Sequence, residues 1–444
     1  MTKTAILRFA PIAAIISLNS ITGCNNDEKK PTHEGMANTR RTVLGFGFSG
    51  VDYIATVGKY PSPDEKVRTL SLSLTGGGNC GNTMSTIGIL GSSLFKNNDI
   101  NIRSKIITKI ADDSNGRFVE KGLQDNCIDT NDIIISPPPS ETGFVYVIVD
   151  AETKTRTCLA TLPNAEISDD EISNKLKDNV LKDVSLIHFD SRHTQAATKL
   201  ASIASTLSIP MSIDLEKDRP PFLRKLLPYC NIVFTNENAV QKLFDNVTND
   251  NRSGTIKIIN DNIDDDAIME QEELVRRVSL MAYSFSTKNI IDSKVHTVIS
   301  TLGSNGSILI RKKNIVSSNS ILSDDKEIGD KDIDDLKKQL ANCNISIKHY
   351  EYYPDNSSDV YEILTCSCVK LSPDEIIDTT GAGDSYIGGF IVGMVSGLSL
   401  DECMKVGTLI AANVIMKEGA RLGIMSGKQL RLYLAHLSSN AITK

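Results

Sequence analysis

The sequence lacks the concentration of basic residues that nucleic-acid-binding proteins carry. Its 444 residues include 48 lysines and arginines against 55 aspartates and glutamates, which gives a formal net charge of −7. Aromatic residues make up only 5% of the chain, and no stretch interleaves them with basic residues. Because nucleic acid is a polyanion, proteins that bind it present a positive stripe or patch. The composition therefore argues against a nucleic-acid partner.

Cysteine is too scattered in the chain to suggest a metal cluster. There are nine cysteines, an odd number, and only Cys366 and Cys368 lie close together. Cysteine-rich zinc sites need a second pair of ligands at matching spacing, and none accompanies these two. The pattern favours reduced thiols in a reducing compartment.

The N-terminal region lacks an apolar run of membrane-spanning length. The run Phe9–Leu18 is too short, since a spanning helix needs about 20 apolar residues. It lies within residues 1–26, which carry Lys3 and Arg8 but no acidic residue. Such a segment resembles a cleaved targeting signal. We therefore predict that residues 1–40 are a presequence or a disordered arm, and that the mature protein is cytoplasmic or organellar, for example plastidic.

A glycine motif just after this region suggests one enzyme class, but its context argues against it. Residues Gly45–Gly50 read G-x-G-x-x-G, the fingerprint of dinucleotide-binding oxidoreductases where it turns a strand into a helix. Here the alternating, β-branched stretch Val51–Val57 follows, and then Tyr60–Pro63, whose two prolines a helix does not tolerate. Because the helix is missing, the dehydrogenase hypothesis is disfavoured.

The main body of the chain is predicted to be α/β. Short apolar runs alternate with stretches of helical character, a pattern typical of a doubly wound, mostly parallel sheet with helices on both faces. The strands predicted for this sheet are Val43–Phe48, Lys105–Ile110, Val184–Phe189, Met211–Asp214, Ile232–Thr235 and Val298–Leu302.

A second kind of strand is short and has one apolar face. Val67–Leu74 alternates Leu with Ser, and Phe144–Val149 alternates similarly before the chain turns and returns through Thr155–Ala160. No helical pattern follows these segments, which indicates antiparallel strands with one solvated face. We predict that residues 66–75 and 143–160 form a small accessory sheet.

Two polar segments interrupt these patterns. Residues 246–275 and 311–345 are rich in Asn, Asp, Ser and Lys and poor in aromatic residues. Such composition is typical of solvated segments. We predict that both are surface insertions in a single domain that spans residues 41–436.

The most informative stretch is a turn of small residues at the start of a helix. The segment DTTGAGD, residues 378–384, precedes apolar residues with the i, i+3, i+4, i+7, i+8 spacing of a helix. The first N–H groups of a helix have no partner within it and lie at the positive end of its dipole. Gly381, Ala382 and Gly383 leave these groups open, so phosphate is the ligand they suit.

Asp384 ends this turn, and two roles are open to it. A carboxylate here can accept the proton of a substrate hydroxyl while the neighbouring amides stabilise a transferring phosphoryl group. Aspartate is also a common helix cap. The spacing alone does not decide between them.

The stretch IHFDSRH suggests a metal site made of His188, Asp190 and His193. It follows a predicted strand, and no further ligands lie near it in the sequence. A role in loop structure is therefore the better interpretation.

The sequence around the turn, DTTGAGDSYIGGF, resembles the C-terminal signature of the PfkB, or ribokinase-like, family of carbohydrate and nucleoside kinases. Three earlier blocks resemble other parts of that family's pattern: GFGFSGVDYIATVGKYPSPDEKVRTLSLSLTGGGNCGNTMSTIGILG, ADDSNGRFVEKGLQDNCI and TLGSNGSILI. Together they cover residues 42–430 apart from the two insertions. The resemblance implies a ribokinase-like three-layer α/β fold, with the small antiparallel sheet as a lid over the substrate.

The resemblance also implies which residues carry out the reaction. In phosphoryl transfer, Asp384 would be the general base, and Gly381, Ala382 and Gly383 would form the anion hole. On the acceptor side, Asp52 would bind the hydroxyls of the acceptor, and the sugar pocket would be lined by Gly77, Gly78 and Asn82. The residues that would face ATP are Gly303, Ser304, Gly306, Gly419 and Ala420.

Metal binding is where the chain departs from the family pattern. Members carry Asn-x-x-Glu to organise Mg²⁺, whereas Asn236–Ala239 reads N-E-N-A. Either Glu237 helps to hold Mg²⁺ in another way, or metal binding is weakened. Asp378 and the backbone at Thr380 resemble a site for a monovalent cation, such as K⁺, that part of the family has.

These resemblances imply an ATP- and Mg²⁺-dependent kinase that phosphorylates a hydroxyl of a small sugar or related polyol. The alternative is a catalytically weak or silent member that binds sugar or nucleotide and acts through partners, since the usual Glu is missing. An exposed lid face would also allow two chains to pair as a homodimer.

Overall fold

The fold is organised by one large sheet. The structure is a computed structural model in which the described residues are 39–95, 100–153, 155–163, 166–217, 219, 221–239, 254–258, 274, 276–278, 281, 295–313, 331–355 and 358–441. The predicted presequence, apart from its last two residues, lies outside these ranges, as does most of the first predicted insertion. Within them, no helix is both long and apolar enough to cross a membrane.

The strands are mostly short, as the apolar runs predict. In chain order they are β1 (Thr39–Phe46), β2 (Gly50–Val57), β3 (Thr69–Gly77), β4 (Ile100–Ile107), β5 (Lys109–Ala111), β6 (Ile128–Asp129), β7 (Ile134–Ser136), β8 (Phe144–Asp150), β9 (Arg156–Thr161), β10 (Val184–Phe189), β11 (Met211–Leu215), β12 (Ile232–Asn236), β13 (Gly254–Ile258), β14 (Thr297–Thr301), β15 (Ser307–Lys312), β16 (Ile347–Pro354) and β17 (Tyr361–Cys366).

The helices lie mainly between strands of the body and in the C-terminal part of the chain. In chain order the described ones are α1 (Asn79–Gly91), α2 (Ser114–Asp125), α3 (Asp169–Lys177), α4 (Thr194–Thr206), α5 (Leu223–Leu226), α6 (Lys331–Ala341), α7 (Ala382–Val395), α8 (Leu400–Val414) and α9 (Gly427–Ala441).

The large sheet has the strand order β13-β16-β17-β15-β14-β12-β11-β10-β1-β4-β6. From β14 across to β6 the strands run parallel. The remaining four, β15, β17, β16 and β13, continue the sheet antiparallel at one edge. Each strand predicted for the body overlaps a parallel strand of this sheet, so the predicted mostly parallel sheet is confirmed.

Helices cover both faces of the sheet. Neighbouring residues of β1 point to opposite sides: Val43 joins a buried apolar cluster that includes residues of α1, α7 and α8, while Leu44 joins a second cluster that includes residues of α3 and α4. A parallel sheet that is buried on both faces needs apolar residues at consecutive positions, which explains the continuous apolar runs. The three-layer α/β architecture is confirmed.

A smaller sheet with the order β3-β2-β8-β9 contains the strands predicted for the lid. β2 pairs antiparallel with β3, and β8 pairs antiparallel with β9. The middle pair, β2 and β8, runs parallel, so the sheet is mixed rather than wholly antiparallel. The alternation of residues within each strand could not reveal the parallel pairing, because that direction depends on how the β2–β3 pair meets the β8–β9 pair.

The glycine motif Gly45–Gly50 connects two strands, β1 and β2. A dinucleotide fingerprint would lead from a strand into a helix whose N-terminus binds pyrophosphate. That helix is not at this position, so the structure supports the argument against a dehydrogenase.

The second predicted insertion, 311–345, differs in part from the prediction. Its first two residues belong to β15, and its later part contains α6, whose apolar residues Ile333, Leu336 and Leu340 are buried in the cluster beside α8. The many charged residues suggested a fully solvated segment. The apolar residues nevertheless recur every three to four positions, so one face of the helix packs on the core.

Candidate active site

Helix α7 begins with an open first turn. Gly381 precedes the helix with a φ of 73°, a left-handed conformation that favours glycine. A side chain added at Gly381 would meet Ala420, whereas one added at Gly383 would have no atom within 4 Å. The space beside Gly383 is therefore open, as an anion-binding turn requires.

Asp384 is the third residue of α7, and its carboxylate contacts another helix, α1. The side chain of Asn82 in α1 donates a hydrogen bond to Asp384 at 2.8 Å. The N-cap residue of α7 is Gly381, so Asp384 does not occupy the N-cap position. Burial raises the pKa of Asp384 from 3.8 to about 7, against the opposing effect of the bond from Asn82.

Asp52 lies in β2 on the lid face that turns toward the body. Its side chain is buried, and this burial raises its pKa from 3.8 to about 6, while the charge of Arg421 acts in the opposite direction. Asp52 faces Thr75 across the β2–β3 pair, and a side chain at Gly77 would overlap its carboxylate. The glycine predicted to allow close approach of a sugar therefore makes room for Asp52.

The segment between β3 and α1 is held tightly against the loop after β1. Gly78 has a φ of 88°, and a side chain there would meet the carbonyl oxygen of Phe48 at 2.6 Å. Asn79 begins α1 and donates to the Asp214 carboxylate at 3.1 Å. Asn82 follows one turn later and is 4% exposed. The predicted acceptor-side residues are thus brought together with Asp384.

Arg421 belongs to the site, although sequence reasoning did not identify it. Its Nε donates to the Asn82 side-chain oxygen at 2.9 Å, and its Nη2 donates to the carbonyl oxygen of Gly77 at 2.8 Å. It follows the predicted turn Gly419-Ala420 directly. The one sequence signal that could have pointed to it is the density of glycines from Gly76 to Gly81. Glycines leave room for a large neighbouring side chain, but they do not identify that side chain.

Asp190 from the IHFDSRH stretch has a structural role beside the site. Its carboxylate accepts backbone hydrogen bonds from Phe48 at 2.7 Å and from Cys80 at 3.3 Å. These bonds fasten the loop after β1 to the start of α1. His188 is fully buried, which lowers its pKa to about 3. No group of three or more His, Cys, Asp or Glu side chains that could hold a metal ion occurs among the described residues.

The residues predicted for a monovalent cation have another positive partner. The Asp378 carboxylate accepts from the Thr380 amide at 2.9 Å and the Gly419 amide at 2.8 Å. Arg156 from lid strand β9 pairs with Asp378 at 3.2 Å and donates to the Thr380 hydroxyl at 2.5 Å. The charge of Asp378 is therefore already matched by a lid residue, and this arrangement does not fit a monovalent cation.

The predicted ATP loop lies at the end of β14. Gly303 and Gly306 both have positive φ, 59° and 85°, and they bracket a single helical turn that contains Ser304. The next residue, Ser307, shares a 2.8 Å hydrogen bond with the Tyr386 hydroxyl of α7. The loop is thereby joined to the helix that carries the anion-binding turn.

The residues considered for Mg²⁺ do not form a metal site. Asn236 ends β12, and its side-chain oxygen accepts from the Ala239 amide at 2.9 Å, as in a helix cap. Glu237 pairs with Arg277 at 2.6 Å. A carboxylate engaged by an arginine is a poor metal ligand, so Glu237 does not replace the missing Glu of the motif, and we derive no step through a metal held here.

Comparison with known proteins agrees with the geometry. The family described as pfkB family carbohydrate kinase matches residues 42–265 and 356–426, more than half of the chain. An uncharacterized sugar kinase of Archaeoglobus fulgidus is 43% identical over 56 residues, which are 13% of this chain and 22% of that protein. A cytidine kinase of Thermococcus kodakarensis is 43% identical over 51 residues, 12% of this chain and 18% of that protein. The chain thus matches only about a fifth of the length of these relatives.

Solved structures resemble the whole fold. The Arabidopsis thaliana ribokinase complexed with ribose and ATP has a TM-score of 0.57 at 14% identity, covering 89% of this chain and 99% of that one. The Cryptococcus neoformans ribokinase in complex with ADP has a TM-score of 0.58 at 15% identity, covering 88% and 99%. At such identities the likeness shows the fold alone. From the family match, this chain belongs to the pfkB family of carbohydrate kinases.

Proposed function

We propose that the protein is an ATP-dependent kinase that phosphorylates a hydroxyl group of a small sugar or related polyol. One observation carries the proposal: Asp384 stands at the open N-terminal turn of α7, and the Asn82–Arg421 hydrogen-bond chain connects it to the part of the lid that holds Asp52. A carboxylate, an anion-binding turn and a second carboxylate for hydroxyl groups in one cleft are what phosphoryl transfer to an alcohol requires.

The proposed reaction places the acceptor between Asp52 and Asp384. Asp384 takes the proton of the acceptor hydroxyl, and the oxygen forms a bond to the γ-phosphorus of ATP. The bond from that phosphorus to the β,γ-bridging oxygen breaks, and ADP leaves with the electron pair. The amides of Gly381, Ala382 and Gly383 stabilise the charge on the transferring group. Asp52 holds another hydroxyl of the acceptor.

The raised pKa of Asp384 suits this role. A general base works best when its pKa is near the working pH, because it is then both ionised and sufficiently basic. Burial brings the pKa of Asp384 to about 7. An ordinary aspartate would be a much weaker base.

Nucleotide binding is proposed at Gly303, Ser304 and Gly306 on one side and at the Gly419-Ala420 turn on the other. Ala420 packs against Gly381, so the second turn borders the anion hole. We propose that Mg²⁺ enters with ATP, since Mg²⁺ at such sites takes many of its ligands from phosphates and water. We propose no monovalent cation at Asp378 and Thr380, because Arg156 already pairs with Asp378.

The lid is proposed to cover the acceptor and exclude water during transfer. Its inner face carries Asp52, and Ser73 on β3 donates to Glu418 at 3.0 Å. Arg156 connects its far strand, β9, to the loop before α7. Exclusion of water strengthens the electrostatic interactions in the site and prevents hydrolysis of ATP.

We also propose that the outer face of the lid pairs two copies of the chain. Leu74, Tyr53, Tyr146 and Leu159 lie in register in one row across the four strands. Leu70 and Leu72 on β3 are 67% and 68% exposed. Leu74, Tyr146 and Leu159 of this row are 43%, 49% and 52% exposed, whereas Tyr53 is partly buried. Exposed apolar side chains grouped in this way mark an interaction surface. A dimer by light scattering that becomes a monomer in Leu72→Lys supports this; a monomeric wild type at micromolar concentration contradicts it.

The targeting role of residues 1–40 stays a prediction, since all of this segment except Thr39 and Arg40 lies outside the described residues. A fluorescent protein fused to residues 1–40 should enter an organelle, and one fused without them should stay in the cytosol. Uniform cytosolic signal from both fusions would contradict targeting.

The test of the enzymatic proposal is a coupled ADP-release assay over a panel of sugars, polyols and nucleosides, with mass spectrometry of the product. The panel is broad because similar proteins include a cytidine kinase and a fructoselysine 6-kinase. Phosphorylation of one acceptor that depends on Asp384 supports the proposal. Asp384→Asn is the matched control, since it preserves size and removes the base.

The second candidate is a catalytically silent binding protein. The observation in its favour is Ala239 at the position where the family has a metal-organising Glu, while the nearby Glu237 is paired with Arg277. Calorimetry with ATP and with each panel compound separates the two candidates. Tight binding without turnover of any acceptor favours the silent protein and opposes the kinase.

A further inference from the structure

Arg421 occupies space that the surrounding glycines leave for it. A side chain at Gly81 would come within 2.5 Å of its Nη2, and one at Gly76 would overlap its Nη1. Gly76 lies at the end of lid strand β3, and Gly81 lies in the first turn of α1. The guanidinium is therefore packed between the end of lid strand β3 and α1, the helix that carries Asn82.

The hydrogen bond from Arg421 Nε determines which way the Asn82 amide points. An arginine has only donors, so the Asn82 atom at 2.9 Å from Nε must be its oxygen. The NH₂ group then faces Asp384, to which it donates at 2.8 Å. If Asn82 turned over, its oxygen would face a carboxylate oxygen and its NH₂ group would face a guanidinium, and both contacts are repulsive.

The charged groups around the Arg421–Asn82–Asp384 hydrogen bonds have opposing effects on the ionisation of Asp384. Arg421 faces the carboxylates of Asp52 and Asp384, and burial lowers its pKa to about 10, so it stays charged at neutral pH. Asp384 also faces Glu216 and Asp190, whose negative charges act against its ionisation. Arg421 and Asn82 are thus the groups that favour the ionised form of Asp384.

We propose that Arg421 is a positioning residue. Through its bond to Asn82 it directs the Asp384 carboxylate at the acceptor, and through its bond to the Gly77 carbonyl it connects that carboxylate to the end of lid strand β3. The inference rests on the proposed function of Asp384 as base. The direction of the Asp384 carboxylate is then set by Asn82, on the acceptor side, and by Arg421, which follows the proposed nucleotide-binding turn Gly419-Ala420.

The experiment compares Arg421→Met with a matched control, Arg431→Met. Arg431 is also a buried arginine, and it donates to the carbonyl oxygens of Leu94, which lies beyond the C-terminal end of α1, and of Asp332 in α6, neither of which is a predicted site residue. Both variants lose a buried guanidinium, so both are expected to lower the melting temperature. Only Arg421→Met should change the site.

The first readout needs no acceptor. The side-chain carboxyl carbons of aspartate are labelled with ¹³C, and the signal of Asp384 is identified by its absence in Asp384→Asn. Its titration midpoint should rise by about one pH unit in Arg421→Met, because an opposite charge and a bond to the ionised form are lost. In Arg431→Met it should stay at the wild-type value. An unchanged midpoint in Arg421→Met overturns the proposal.

The second readout uses the acceptor found by the panel. Arg421→Met should lower kcat at least tenfold, leave the KM for ATP near wild type, and move the acidic limb of the pH–rate profile to higher pH. Equal effects from Arg431→Met would mean that Arg421 is merely structural. If Arg421→Met fails to fold, Arg421→Lys replaces it; the lysine keeps the charge, so kcat should fall with a smaller shift of the midpoint.

The two readouts separate failure of this inference from failure of the proposed function. If no acceptor is phosphorylated by the wild type, the kinase proposal fails, while the titration still tests whether Arg421 controls Asp384. If the wild type is a kinase and neither readout responds to Arg421→Met, only the inference fails.

Discussion

The side chain of Asn82 donates a hydrogen bond of 2.8 Å to the carboxylate of Asp384, which lies 302 residues later in the chain. The bond joins α1, which follows the lid strand β3, to α7, which begins with the proposed anion-binding turn. It turns the carboxylate toward α1, which carries one of the proposed acceptor-binding residues. The candidate base is therefore held by the part of the protein that would bind the acceptor.

Replacing Asp384 by Asn should abolish most of the turnover. The amide keeps the size of the side chain and can accept the bond from Asn82, but it cannot take a proton. We expect kcat to fall by about 10²–10⁴-fold, the usual contribution of a general base. Steady-state kinetics checks this, with calorimetry of ATP binding as the control for an intact site. Turnover close to wild type would contradict the role of Asp384.

The same variant should be more stable than wild type at high pH. The pKa of Asp384 is about 7 in the folded protein and 3.8 for an ordinary aspartate, so the unfolded state ionises first as pH rises. Wild-type stability due to this group is therefore lost between about pH 4 and pH 7. Compared with wild type, the free energy of unfolding of Asp384→Asn should therefore be higher by about 3 kcal/mol more at pH 8 than at pH 5. A pH-independent difference in urea unfolding would be the contrary result.

Asp52→Asn should affect acceptor binding more than ATP binding. Asp52 is 7% exposed and faces the body of the protein, so its carboxylate can accept hydrogen bonds from acceptor hydroxyls. We expect the acceptor KM to rise about tenfold, in line with about 1.5 kcal/mol for a hydrogen bond to a charged group. The KM for ATP should stay within a factor of two or so. The matched control is Asp112→Asn on an exposed surface pair with Arg117, which should change neither constant.

Arg156→Gln tests whether a lid residue supplies the positive charge opposite Asp378. The variant removes the ion pair with Asp378, which is 3.2 Å long, and weakens the contact of the lid with Thr380. We expect wild-type activity to be insensitive to exchange of Na⁺ for K⁺, and the variant to lose activity and regain part of it with K⁺. Assays at constant ionic strength check this. Strong K⁺ activation of the wild type would show that a cation displaces Arg156.

The local chemistry of the site could be predicted from a few residues. The glycines before Asp384 and the helical spacing after it indicated an open helix start, because both features depend on neighbours in sequence. The same reasoning placed the parallel strands, whose apolar runs reflect burial on two faces. It misjudged residues 331–341, where charged residues on the outer face concealed the apolar stripe of α6.

The partners of the site residues could not be predicted in this way. Arg421 bonds to Asn82 across 339 residues, and Arg156 reaches Asp378 across 222 residues. Nothing in the sequence near either arginine distinguishes it from an ordinary surface residue. The parallel pairing of β2 with β8 was also hidden, because a strand's alternation does not specify the direction of its neighbour.

The sequence by itself indicated a helix start open to an anion and the carboxylate that stands beside it, since helix starts and glycine turns obey short-range rules of geometry and hydrogen bonding. Tertiary structure decided what that carboxylate does. The fold brings α1, the lid and the segment after α8 together around Asp384, and burial among these elements raises its pKa and fixes its direction. Desolvation and long-range hydrogen bonds exist only once distant segments meet.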